Sequence, residues 1–222
     1  MKAFVLKRKV MEKAVLLKAY KKFELTKGRS PYSVFEFTEE LEVEESEFYT
    51  HFSSLQQLKK VFLRQLVDNT LKALNEDENY ASFSAREKLL ALYFTLFEHL
   101  KLERSYLLHK YNSSDPRVLR EFKDDWKDFF LQLNARVEQI LMEARNEEEV
   151  VNRPYISDHY AKGFYLLFTY VYKVWLNDES DDFETTDAAI EKSVNLAFDL
   201  LGKGPLDAML DFGKFALKTK VF

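Results

Sequence analysis

Apolar side chains three or four positions apart recur along almost the whole chain, and few residues interrupt that spacing. The 222 residues include only 5 glycines and 4 prolines. That is too few for a sheet protein, which needs a turn about every ten residues. The clearest run is Val118, Phe122, Trp126, Phe129, Leu133, Val137 and Ile140. The spacing therefore predicts an all-α chain.

Helix start and stop signals divide the N-terminal part into short segments. A helix from about Val5 to Leu25 is ended by Gly28 and Pro31, and Ser33 caps a short helix from Val34 to Leu41. A second short helix covers Glu45 to His51. A long helix opens at Ser54. Three helices of this length and spacing are typical of a helix-turn-helix domain.

The polar segment from Asn75 to Ala81 is the best boundary along the chain. We therefore expect a helix-turn-helix domain over residues 1–53, a connecting helix over 54–75, and a larger helical domain over 76–222. Ser84 and Glu87 form a capping box that starts a helix or helix pair reaching about Tyr111.

Further signals predict the remaining C-terminal helices. Asp115 and Pro116 start a helix that the apolar spacing extends for about 30 residues. Three more segments are predicted as helices: Ser157 to Asn177, Thr186 to Leu201, and Pro205 to about Lys218.

The N-terminal segment resembles the DNA-binding domain of the TetR family of transcriptional regulators. The match runs from Gly28 to Leu58 without a gap. Its specific part is a set of residues at the spacing of the family motif: Phe48, Tyr49, His51, Phe52, Ser54 and Leu58. The apolar positions of the register supply one small core, made of Val34, Phe37, Leu41, Val43, Phe48 and Phe52.

The resemblance implies that the domain over residues 76–222 binds a ligand and dimerises. It implies that the second short helix of the N-terminal domain is the recognition helix, which enters the major groove of DNA. It also implies contacts to the DNA backbone from the tyrosine, the histidine and the serine that starts the preceding helix. With lysines of the first segment, the candidate DNA-binding residues are Ser33, Glu45, Ser46, Glu47, Tyr49, His51, Lys7 and Lys9.

Several positions that shape the turn or contact DNA in the family carry a different residue here, most often glutamate. Glu42 stands at the turn glycine, Glu44 at the capping serine, and Leu55 at a phosphate-contacting lysine. Residues 36–47 hold seven glutamates and no base, whereas residues 1–30 hold ten Lys or Arg and two Glu. Because DNA carries one charge about every 1.7 Å, these acids oppose tight binding. One glutamate is compatible with readout of cytosine. The N-terminal lysines could hold the phosphate backbone or pair with these acids.

Aromatic residues are concentrated on the central helices of the C-terminal part. In the family such residues surround a ligand cavity, and an apolar pocket with a few polar groups suits a small apolar ligand. The candidate pocket residues are Phe94, Phe97, Tyr106, Tyr111, Trp126, Phe129, Phe130 and Phe164. Plain core packing is the alternative for each of them.

The segment from Tyr160 to Leu176 is apolar on nearly all sides and therefore needs cover on all sides. The same helix of a second subunit is the simplest cover, as in the dimers of the family. The candidate dimer-interface residues are Ala161, Tyr165, Phe168, Tyr172, Val194 and Phe198.

Composition and spacing argue against several other classes. The chain has no cysteine, its four histidines form no metal-binding pattern, and no catalytic triad or phosphate loop is present. We therefore expect no cofactor, no metal and no enzymatic activity. We also expect no membrane span and a cytoplasmic location, and the family resemblance implies a homodimer.

Two functions remain open. The first is a ligand-responsive repressor that binds DNA as a dimer. The second is a protein of the same fold that no longer binds DNA and instead holds an isoprenoid-like or other apolar lipid, or a protein partner. Lipid-binding proteins of quinone biosynthesis have a similar fold.

Overall fold

The computed structural model describes residues 11–113, 115–151, 160–202 and 204–219. Within these ranges the chain forms helices and no strand, which confirms the predicted fold class. None of the helices in these ranges is long and apolar enough to cross a bilayer. The helices are α1 (Lys13–Lys27), α2 (Val34–Glu40), α3 (Glu45–Tyr49), α4 (Leu55–Glu76), α5 (Ala85–Leu102), α6 (Arg104–Tyr111), α7 (Pro116–Asp125), α8 (Lys127–Asn146), α9 (Tyr160–Leu176), α10 (Glu184–Leu201) and α11 (Pro205–Lys218).

The helix ends follow the predicted capping residues. Gly28 ends α1 with a φ of 70°, in the left-handed region that glycine adopts without strain. The Ser33 hydroxyl accepts a hydrogen bond from Glu36 N at 3.1 Å, and Asp115 accepts one from Arg117 N at 2.8 Å. The predicted capping box is also present, because Ser84 N donates to the Glu87 carboxylate at 2.8 Å.

The predicted helix of about 30 residues from Pro116 is wrong, because the chain breaks at Trp126 into α7 and α8. The cause is tertiary packing at the break. The Trp126 ring is fully buried and stacks on Phe122 at 4.8 Å, while the neighbouring Asp125 carboxylate is also fully buried. Apolar spacing alone carries no sign of this break.

The chain divides into two compact units. The first unit combines Met1–Leu66 with Leu100–Phe129, and the second combines Val67–His99 with Phe130–Phe222. The segment 100–129 groups with the N-terminal helices because its side chains pack on them; Tyr106, for example, meets Phe62 edge to face at 5.3 Å. The independent domain expected over residues 1–53 stays a prediction, and the compact unit that contains those residues is larger.

Aromatic rings form the core of the helix-turn-helix segment in the first unit. Phe37 meets Tyr20 and Phe48 edge to face, at 5.7 and 6.1 Å between ring centroids, and Phe48 packs on Phe52 at 5.7 Å. All four rings are buried. Edge-to-face pairs add to the stability that burial alone supplies. This small core fixes α3 against α1 and α2.

A buried carboxylate, Glu24, links α1 to α6 inside the first unit. Tyr20 donates to it at 3.1 Å and Ser30 at a short distance, and Lys110 Nζ lies 3.1 Å away. Burial alone would raise the pKa of Glu24. The hydrogen bonds from Ser30 and Tyr106 and the charge of Lys110 outweigh burial, so this pKa lies below its usual value.

A second buried carboxylate, Asp125, organises the break between α7 and α8. It accepts hydrogen bonds from Gln56 at 2.5 Å and from the Tyr111 hydroxyl at 2.9 Å, and Lys59 Nζ lies 3.1 Å away. A buried charge needs this number of partners, because desolvation penalises an unpaired carboxylate heavily.

The second unit has an aromatic interior between α5, α8 and α9. Phe97 packs on Phe168 at 5.8 Å, and Phe130 meets Phe168 edge to face at 5.3 Å. The Tyr93 hydroxyl donates to Phe164 O at 2.9 Å, so a polar bond also fixes α5 to α9. The outer sides of α9 and α10, which pack together, lie away from this interior.

Candidate functional site

Helix α3 is anchored through a single ring and presents its other residues outward. Phe48 is fully buried in the aromatic core. Glu45 and Glu47 are half-buried, Ser46 is exposed, and Tyr49 has 53% of its surface exposed. The predicted recognition residues thus lie together on the outer side of one helix.

Ser33 and His51, the two other described candidates for DNA contact, already form bonds inside the protein. Ser33 is exposed, but its hydroxyl caps α2. His51 Nε2 lies 2.6 Å from the carbonyl oxygen of Met11 and donates to it. This bond fixes the chain entering α1 to the end of α3, so His51 has a structural role. Lys7 and Lys9 lie outside the described residues.

The acidic replacements stay on the surface. Glu42 and Glu44 are exposed and Glu45 is half-buried, and none of the three forms an ion pair within the described ranges. Glu42 holds the backbone of the turn at a φ of 55°, in the region expected for the family's glycine. The register is thus kept although the residue has changed.

Two basic residues at the end of α1 are engaged by acids of α2. Arg29 contacts Glu36 at 2.6 Å, and Lys27 contacts Glu40 at 3.2 Å. The hydrogen bonds from Arg29 and from Tyr32 N hold the pKa of Glu36 below its usual value. These pairs neutralise Glu36 and Glu40 of α2 and do not involve Glu42, Glu44 or Glu45.

The predicted pocket residues fall into two groups. Tyr106, Tyr111, Trp126 and Phe129 belong to the first unit, where they are buried. Trp126 meets Phe129 at 4.6 Å and Tyr111 at 5.8 Å, as in ordinary core packing.

The other four candidates belong to the second unit: Phe94, Phe97, Phe130 and Phe164. Phe97 and Phe130 pack on Phe168, Phe94 is half-buried, and Phe164 lines a surface crevice. A ligand pocket that uses all eight residues stays a prediction.

The surface crevice of the second unit lies between α9 and α10 and has a volume of about 640 Å³. Its walls are mostly apolar, with Leu166 and Tyr170 on α9 and Leu196 and Leu200 on α10 among its lining residues. These four side chains are 68, 57, 59 and 42% exposed. Exposed apolar side chains grouped in this way form a candidate interaction surface.

The residues predicted for the dimer interface belong mainly to the opposite side of these helices. Phe168, Tyr172, Val194 and Phe198 are buried inside the second unit. Tyr165 is 37% exposed and packs on Phe130 at 4.6 Å. An interface through these four residues stays a prediction, and their burial in the single chain weighs against it. Nothing is described for the side chain of Ala161.

Helix α9 is apolar on nearly all sides, so its spacing cannot tell the inner face from the outer one. The exposed residues that the sequence reasoning missed, Leu166, Tyr170, Leu196 and Leu200, did carry a signal. Each pair is separated by four positions, which places it on one helix face.

Comparison with known proteins assigns the C-terminal part of the chain to the same family that the N-terminal motif resembles. Residues 88–216 match the family described as "Tetracyclin repressor-like, C-terminal domain". A solved structure of a TetR family transcription regulator from Marinobacter aquaeolei VT8 is similar, with 18% sequence identity and a TM-score of 0.42. The match covers 84% of this chain and 93% of that chain. No curated protein sequence matches the chain.

Proposed function

Because the chain belongs to the TetR family, whose C-terminal domain model matches residues 88–216, we propose that it is a homodimeric transcriptional regulator that binds DNA through α3. The observation that carries the proposal is the complete helix-turn-helix core, in which buried Phe37 and Phe48 hold α3 with Ser46 and Tyr49 outward. The four residues from Leu41 to Glu44 between α2 and α3 suit this motif.

Dimerisation uses the outer face of α9 and α10 in this proposal. Leu166, Tyr170, Leu196 and Leu200 would be covered by the same residues of a second copy, since a two-fold interface pairs a patch with itself. Two copies then present two α3 helices, and the DNA site contains two half-sites related by the same symmetry.

Response to a small apolar ligand is the third part of the proposal. The support is the aromatic interior of the second unit around Phe97, Phe130 and Phe168. A ligand there would pack on α5, α8 and α9. Native mass spectrometry of the purified protein tests this part, because a bound apolar molecule adds a defined mass that organic extraction removes.

A second candidate function is favoured by one observation. Glu42, Glu44 and Glu45 have no ion-pair partner within the described residues, and a phosphate backbone would repel them. In this alternative the protein keeps the fold, does not bind DNA, and holds an isoprenoid-like or other apolar lipid, or a protein partner.

A gel-shift titration with the DNA upstream of its own gene separates the two functions. The regulator shifts this fragment at moderate salt, and an unrelated fragment of equal length shifts only at a higher protein concentration. Absence of a shift even at low salt, together with a lipid that co-purifies, contradicts the regulator and supports the second candidate.

Removing the acid charge next to α3 sharpens the gel-shift experiment. We expect Glu44→Gln to bind DNA about 1.4- to fivefold more tightly, because an exposed charge contributes about 0.2–1 kcal/mol. Glu138→Gln, an equally exposed change on α8, is the matched control and should leave the affinity unchanged. Equal affinities of Glu44→Gln and the unchanged protein would mean that the start of α3 lies away from DNA.

A further inference from the structure

A second crevice, in the first unit, concentrates positive charge. It lies between α1 and the turn that joins α5 to α6, and its volume is about 390 Å³. Its lining includes Lys18, Lys21, Lys22, Leu25, Leu102 and Ser105. We call it the lysine crevice. Three lysines on two turns of one helix repel each other and favour an anion between them.

One of the three lysines already holds a carboxylate. Lys21 Nζ forms a short contact with Glu103, which also lines the crevice. This ion pair shows that a carboxylate fits beside Lys21. Lys18 and Lys22 are exposed and form no ion pair within the described residues. They leave the crevice with a positive excess beyond the Lys21–Glu103 pair.

The start of α6 adds hydrogen-bond donors to the same place. The first helical hydrogen bond of α6 runs from Leu107 N to Glu103 O. The N–H of Ser105 lies before this bond and therefore has no partner within the helix. The Ser105 hydroxyl has no hydrogen-bond partner within the described residues. Free N–H groups at a helix start carry partial positive charge and favour an anion.

The lysine crevice also has an apolar edge. Leu102, the last residue of α5, has 80% of its surface exposed, and Leu25 on α1 has 43% exposed. An inorganic ion would leave both side chains in water, whereas a ligand with a short hydrocarbon tail would cover them and gain about 25 cal/mol for each Å² of apolar surface buried.

We propose that the lysine crevice binds a small organic anion with an apolar tail. Lys18, Lys22 and Ser105 hold the charged head, and Leu25 and Leu102 cover the tail. This site goes beyond the proposed function and does not depend on DNA binding. The ligand joins α1, the first helix of the helix-turn-helix segment, to the start of α6.

Calorimetric titration of the full chain with octanoate, in the absence of DNA, tests the proposal. Acetate, which has the head without the tail, and 1-octanol, which has the tail without the charge, should bind much more weakly. Because no DNA is present, failure of the gel shift leaves this result unaffected.

Three variants locate the binding. We expect Lys18→Gln/Lys22→Gln to weaken octanoate binding at least about tenfold, since each substitution removes a charged hydrogen-bond donor to the carboxylate. Leu102→Ser should weaken octanoate binding a few-fold and leave acetate unchanged. Lys123→Gln/Lys127→Gln removes the same charge from exposed positions of the first unit outside the crevice, and should bind as the unchanged protein does.

The outcomes that overturn the proposal are distinct. Absence of octanoate binding at millimolar concentration overturns it. So does equal weakening in the two double variants, which would indicate attraction by net charge alone. Binding of 1-octanol as tight as that of octanoate overturns the role of the lysines. Unchanged thermal melting of each variant shows that the fold is intact.

Discussion

Glu42 keeps the backbone conformation expected of the family's turn glycine, although it carries a side chain. Its N–H donates to Glu39 O at 3.0 Å, and the next N–H, that of Val43, donates to Thr38 O at 3.1 Å. These bonds hold Glu42 at a φ of 55°, where a side chain is strained. The turn between α2 and α3 therefore stores strain that glycine would relieve.

We expect Glu42→Gly to raise the free energy of unfolding by about 0.5–1 kcal/mol, because relief of the left-handed strain exceeds the extra chain entropy of glycine. Glu39→Gly, an exposed change inside α2, is the control and should lower the free energy of unfolding by about 1 kcal/mol. Urea denaturation measures both. Destabilisation by Glu42→Gly would mean that this turn is unstrained in solution.

At the scale of the element, Asp178 determines how α9 connects to α10. Its carboxylate accepts from Ser180 N at 2.9 Å and from Thr186 N, in the first turn of α10, at 2.8 Å. Between these bonds Asp182 and Phe183 adopt positive φ values of 45° and 64°. Burial alone would raise the pKa of Asp178, but the hydrogen bonds from Ser180 and Thr186 lower it to about 2.

This low pKa makes the connection sensitive to acid. Because the folded pKa of Asp178 lies below its unfolded value of 3.8, its contribution is complete above about pH 5 and is lost as the pH falls toward 2. After allowance for solvent screening, we expect Asp178→Asn to cost about 1 kcal/mol at pH 7. The difference from the unchanged protein should close near pH 2.

Denaturant titrations at pH 7, 4 and 2.5 check this dependence. Asp181→Asn removes an acid from the same loop whose carboxylate has no bond within the described residues, and it should change little at any of these values. A cost for Asp178→Asn that stays constant down to pH 2.5 would show that its charge is not what caps α10.

Local signals in the sequence were sufficient for most helices and their caps. Gly28, Ser33, the Ser84–Glu87 box and Asp115 each act within four residues of the helix end that they fix, so their effect is visible locally. The break at Trp126 and the inner face of α9 depend on distant partners. Glu24 and Lys110 are 86 positions apart, and nothing in the spacing of either residue announces the other.

In the candidate site, too, local features could be predicted from the sequence and contacts between distant segments could not. The register of the family motif placed Phe48 in the core and Ser46 and Tyr49 outside, because a helix of fixed period leaves little choice once one face is buried. It could not reveal that His51 donates to Met11 O, since this bond joins two segments 40 positions apart.

For the whole molecule, the proposed dimer interface is the outer face of α9 and α10. We expect Leu166→Glu to weaken dimerisation at least about a hundredfold, because each copy loses a buried leucine worth about 1.5–3 kcal/mol and two-fold symmetry doubles the loss. Sedimentation at micromolar concentration should then show the mass of one chain. Leu166 is 68% exposed, so the single chain should stay folded.

Leu131→Glu is the matched control for this experiment. Leu131 lies on α8, is 71% exposed, and lies outside the crevice between α9 and α10. Its replacement should leave a dimer. A dimer that survives Leu166→Glu and dissociates on Leu131→Glu would place the interface on α8 instead.

The buried pair of Glu24 and Lys110 has a consequence for how this sequence can diverge. Loss of Lys110 alone leaves the Glu24 carboxylate buried without this cation, which costs about 3–5 kcal/mol. Loss of Glu24 alone leaves Tyr20 and Ser30 without their acceptor, although Lys110 keeps Glu121 at 3.3 Å. Position 24 is therefore the more constrained of the two, and descendants of this chain should keep a carboxylate there for as long as its donors remain.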